Sequence, residues 1–76
     1  MATLNLLKRN QRGIIAQVRG EGDVQQRLQE MGLIDGVEIE VLRHAPLGDP
    51  MEIRVLDSNL ALRRSEAMHV ELEEAL

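Results

Sequence analysis

Two stretches of this sequence alternate strictly between apolar and polar residues, and they restrict the fold more than anything else in it. Val37-Glu38-Ile39-Glu40-Val41 and Met51-Glu52-Ile53-Arg54-Val55 each place an apolar side chain at every second position. A period of two belongs to a strand with one face in the core and one in water. Pairing Val41 with Ile53 turns both apolar faces inward and sets Glu40 opposite Arg54, so that antiparallel register is predicted. Leu42 breaks the alternation, and a bulge or a covered outer face is expected there.

The rest of the chain supplies elements around this pair. Leu4, Leu6 and Leu7 read as a short apolar anchor, followed by a polar turn from Lys8 to Gly13, with Gly13 giving the turn its backbone freedom. Ile14-Ile15-Ala16-Gln17-Val18 favours a strand, which Arg19-Gly20-Glu21-Gly22 ends. Val24, Leu28 and Met31 recur on one helical face, predicting a helix over about 23 to 31. Asp23 is its expected N-cap with Gln26 completing a capping box, and Gly32 its expected left-handed stop. Ser58-Asn59 suits a hairpin turn, which would bring Leu62 opposite Val55. Ser65 to Met68 reads as one helical turn capped by Ser65, and Val70 and Leu72 as a last strand. Glu74-Ala75-Leu76 reads as a frayed end.

The expectation is a mainly β domain over residues 1–76: five short strands with one helix between the first and second. Open strand edges invite aggregation, so a small, partly open barrel is the natural solution.

Composition then removes function classes. The chain has no Phe, Trp or Tyr, so neither base-stacking platforms nor aromatic grooves for proline-rich peptides can be built. Its net charge of −4 and dispersed basic residues argue against a nucleic-acid partner. It has no cysteine, hence no disulfide, thiolate metal site or cysteine nucleophile. Apolar runs do not exceed three residues, far short of the about 20 a membrane helix needs. No signal-peptide segment is visible, and a soluble cytoplasmic protein with no membrane insertion is expected. No Ser-His-Asp order, phosphate-cradling glycine loop or carboxylate pair stands out, so no catalytic residue is assigned and no enzyme is expected. Glu21 and Asp23 would repel phosphate from the Gly20-Glu21-Gly22 turn.

One resemblance covers nearly the whole chain. Gln11-Arg12-Gly13, Val24 to Leu28, Glu30-Met31-Gly32-Leu33 with Gly36, Ala45-Pro46-Leu47-Gly48-Asp49-Pro50, and Leu62-Arg63-Arg64 together resemble the FeoA family. The resemblance implies an SH3-like barrel. It also implies a non-catalytic accessory role in ferrous iron uptake, docked on the cytosolic side of a FeoB-type membrane GTPase transporter.

Three surfaces are candidates for function. The loop residues Pro46, Leu47, Gly48, Asp49 and Pro50 read either as a partner contact or as a strand connector; Leu47 favours contact, because an apolar loop tip must find cover. Met31, Gly32 and Leu33 are a second candidate, although core packing and a helix stop also explain them. His44, Asp49, His69 and Glu71 are the candidate ligands for a divalent metal, with His69 and Glu71 on one strand face. Exposed histidines at strand ends are the plainer account, so no cofactor is expected beyond weak binding of a divalent metal. The competing function is an iron-sensing domain that binds ferrous iron itself. The acidic stretch Glu66, Glu71, Glu73 and Glu74 reads as a solvated terminus. Homodimers formed by strand or loop exchange are a further route for so small a barrel.

Overall fold

The computed structural model describes residues 2 to 73. A 3-10 turn (Leu4–Leu6) leads into β1 (Arg12–Val18), the helix α1 (Asp23–Glu30), β2 (Glu38–His44), β3 (Met51–Val55), β4 (Ser58–Leu62), the short helix α2 (Arg64–Ala67) and β5 (Val70–Leu72). The five strands form one antiparallel sheet in the order β4-β3-β2-β1-β5. Its ladder stays open between β4 and β5, as a partly open barrel requires.

The β2–β3 register is the expected one: Glu40 faces Arg54 and Val41 faces Ile53. The pairing shifts by one residue between Val41 and Arg43, so Leu42 is the extra residue of a bulge. Ile39, Val41, Met51, Ile53 and Val55 lie in the core, joined by Ile15, Leu28, Leu33, Leu62 and Leu72. The core is wholly aliphatic, and among the described residues no charged or polar one is buried in it.

Four local expectations are corrected. The β3–β4 turn is Leu56-Asp57, with Leu56 at φ 56°, and Ser58 and Asn59 already belong to β4. Leu62 therefore pairs with Met51, not Val55, which pairs with Ser58. The displacement is even-numbered, so the same face of β4 still points inward. Gly13 is not a turn residue; it sits buried within β1, where a Cβ would lie 3.1 Å from Cδ1 of Leu72. Its role is close packing, and Asn10, at φ 71°, takes the left-handed turn position instead. Asp23 opens α1 rather than capping it, because Gly22 occupies the N-cap position, and no capping box with Gln26 forms. Asp23 still places a negative charge in the first turn, where the helix dipole favours it. Finally, α2 begins at Arg64 after Arg63 as N-cap, so Ser65 lies inside the helix.

The helix stop is as expected. Gly32, at φ 101°, follows Met31. The N–H of Leu33 donates to the carbonyl of Leu28 at 3.1 Å and that of Gly32 to Gln29 at 3.0 Å. This is the Schellman closure, with Leu28 and Leu33 supplying its apolar contact inside the core. The side chain of Gln25 donates to the carbonyl of Val18 at 2.9 Å and ties the helix to β1. The frayed end expected at 74–76 lies outside the described residues.

Candidate functional site: a clamped loop and its groove

The β2–β3 connection is a tight, well-tied structure. The Ala45 N–H donates to the Pro50 carbonyl at 2.9 Å, and the Gly48 N–H to the Ala45 carbonyl at 2.7 Å. Gly48 stands at φ 88°, a left-handed position that favours glycine. Below the turn, Oδ1 of Asp49 accepts the backbone N–H of Arg64 at 3.0 Å. That N–H opens α2 and has no partner within the helix, so the loop satisfies it from outside. The Arg64 guanidinium lies against Gly48, with Nη1 3.4 Å from where a Cβ would stand. At the tip of this clamp, Leu47 is 97% exposed.

Beside the loop runs an open groove of about 340 Å³ lined by Arg27, Asp49, Pro50, Ala61, Arg63 and Glu66. Arg27 of α1 and Glu66 of α2 form an ion pair there. The Glu66 carboxylate also accepts the Arg63 N–H at 3.0 Å and so caps α2. Glu66 is thus a structural joint between two helices and not part of a solvated acidic terminus. Glu71 is likewise engaged, with Arg19 and with the Gln17 amide.

Of the sequence-predicted contacts, Pro46, Leu47, Asp49 and Pro50 form one exposed ridge, with Gly48 half-buried among them. Met31 is half-buried one helical turn beyond Arg27. Leu33 is fully buried and offers no surface; it closes the helix end from within. The metal candidates are not brought together. Nε2 of His44 is 2.9 Å from the Leu7 carbonyl, and Asp49 is bonded to Arg64. His69 lies in the turn before β5, off the strand it was expected to share with Glu71. Among the described residues no three His, Asp or Glu side chains gather as a ligand set. These residues do not fit a metal centre.

Sequence reasoning missed Arg27, Ala61, Arg63 and Glu66 as site residues. Each has an unremarkable local role, on a helix face, a strand or a polar connector. Arg27 and Arg63 fall within stretches that carry the family resemblance, but nothing in their spacing marks a groove.

Comparison with known proteins places these features in a family. The FeoA domain model matches residues 2–74. The chain is 39% identical over 70 residues to a Porphyromonas gingivalis Fe(2+) transport protein A/Fe(2+) transporter FeoB fusion protein; it spans 92% of itself and 8% of that relative. The FeoA protein of Chlorobium tepidum superposes with a TM-score of 0.86 at 38% identity, covering 93% of this chain and 68% of that one. The Stenotrophomonas maltophilia FeoA complexed with zinc, a procaryotic SH3 domain protein, superposes with a TM-score of 0.84 at 27% identity, covering 96% and 91% of the two chains. With a matching family model over almost its whole length and the same SH3-like architecture, this chain belongs to the FeoA domain family.

Proposed function

We propose that this chain is a non-catalytic accessory module of ferrous iron uptake that docks on the cytosolic side of a FeoB-type membrane GTPase transporter. The observation that carries the docking surface is Leu47, held 97% exposed on a loop that α2 clamps from below. A leucine displayed on a rigid support gains by entering a partner's apolar pocket, and the support has already met the ordering cost. The P. gingivalis relative, which has both an Fe(2+) transport protein A and a FeoB transporter in one chain, supports the choice of partner. Pro46, Gly48, Asp49 and Pro50 form the rest of the ridge, and the groove with Arg27 and Arg63 receives polar groups beside it.

The test is calorimetric or pull-down binding to the transporter's cytosolic domain and to the full-length membrane form, each with and without nucleotide. Burial of a leucine side chain is worth about 1.5–3 kcal/mol, so Leu47→Asp should weaken binding roughly ten- to hundred-fold with an unchanged circular dichroism spectrum. Equal affinity in the mutant overturns the surface, and no binding to either form overturns the function. Anaerobic titration with ferrous iron separates this reading from an iron-sensing domain. Binding tighter than about 1 mM that is lost in His44→Ala/His69→Ala would favour the sensor.

A further inference from the structure

The two edges of the sheet are treated differently. The β5 edge is short and covered: Thr3 bridges to Glu71, and the Leu72 N–H donates to the Ala2 carbonyl at 2.9 Å. The β4 edge has no such cover among the described residues. Among those residues its only strand neighbour is β3, and no loop bonds to it. Strand edges are ordinarily blunted by charge, proline or a bulge. Ser58-Asn59-Leu60-Ala61-Leu62 has none of these, and its register with β3 is unbroken.

The hairpin geometry fixes which backbone groups are free. A two-residue turn is closed by the Val55–Ser58 pair. In an antiparallel ladder hydrogen-bonded and non-bonded pairs alternate, so Ser58, Leu60 and Leu62 spend their N–H and C=O groups on β3. Those of Asn59 and Ala61 point away from the sheet. Both residues are exposed, and the groove beside Ala61 and Arg63 leaves this edge open to solvent.

We propose that β4 is a homodimerisation edge, on which a second copy of this chain adds its own β4 antiparallel about a two-fold axis at Leu60. The sequence is self-complementary in that register. Asn59 of one copy meets Ala61 of the other, and these are the residues whose backbone groups are free. Leu60 meets Leu60 at the closely spaced, non-bonded position, where two half-buried leucines cover each other. Just beyond, Asp57 falls opposite Arg63 of the second copy, once on each side of the axis. Neither residue forms an ion pair within its own chain among the described residues. Shifting the pairing by two residues would lose both charge matches. Ala61 and Arg63 also line the groove beside the docking loop, so the two surfaces adjoin, but the dimer rests on its own observations and is tested on the chain alone.

The experiment is sedimentation velocity from micromolar to about 1 mM protein, on the wild type and on charge variants. A concentration-dependent dimer is expected. Asp57→Arg and Arg63→Asp should each weaken it roughly tenfold or more, since each variant creates two like-charge contacts, and the double variant should recover it. Ala61→Pro removes an outward N–H and no β3 bond, so it should abolish the dimer while the circular dichroism spectrum stays native. A monomer at every concentration overturns the proposal. So does a dimer that survives both single charge variants, or one that the double variant fails to restore.

Discussion

Leu56 holds a backbone conformation that suits its residue type poorly. At φ 56° an L side chain costs about 1–2 kcal/mol, and this one is 68% exposed, so packing returns little. Leu56→Gly is expected to stabilise the protein by about 0.5–1 kcal/mol, because relief of the strain outweighs glycine's added chain entropy. Urea denaturation followed by far-ultraviolet circular dichroism measures it; a lower midpoint would mean that the leucine anchors something. Gly32 is the opposite case. Its φ of 101° lies outside what a side chain tolerates, so Gly32→Ala should cost about 1–3 kcal/mol in the same measurement. Gly32 was legible because helical periodicity ends at Met31. Gly13 was not, because the atom it makes room for belongs to Leu72, nearly the whole chain away. Spacing along a sequence carries no trace of a contact made across it.

At the scale of elements, α2 holds the loop and α1 in place through two carboxylates. Glu66 caps Arg63 and pairs with Arg27, whose side chain is 64% exposed, so solvent screens the ion pair and the cap carries most of the effect. Glu66→Ala should therefore cost about 1 kcal/mol. Glu66→Gln keeps an acceptor for the Arg63 N–H and should be nearly neutral. If glutamine is as damaging as alanine, the ion pair matters more than the cap. Asp49→Ala leaves the Arg64 N–H without its acceptor and should cost a similar amount, about 1 kcal/mol. It should also speed hydrogen exchange at that amide. The strands and α1 were legible from their periods of two and of three to four. The β3–β4 turn was not, since registers that differ by an even number of residues bury the same face. The left-handed turn at Leu56 decides between them, and no glycine or asparagine marks it.

For the molecule as a whole, the aliphatic core sets the margin. A domain of this length holds about 3–5 kcal/mol of net stability. Ile39 and Ile53 are buried on neighbouring central strands, and either one changed to alanine should cost about 2–5 kcal/mol, enough to unfold most of the population. Circular dichroism is the right probe, since the chain has no tryptophan or tyrosine to fluoresce. Alternation made β2 and β3 and their pairing plain, but the pairing of β1 with both β2 and β5 was not legible, because local pattern does not say which distant strands become neighbours. The loop half of the candidate site was readable in the same way. The groove half was not, being assembled from side chains that meet only once α1 and α2 dock. The covered edge also brings the first and last described residues close together. Ala2 is bonded to Leu72, and the Glu73 N–H donates to Ile14 at 2.7 Å. A linker of a few residues between the two would convert the backbone into a ring without disturbing a single strand. Such a circle has fewer conformations to gain when it melts, and it should withstand heat that opens the linear form.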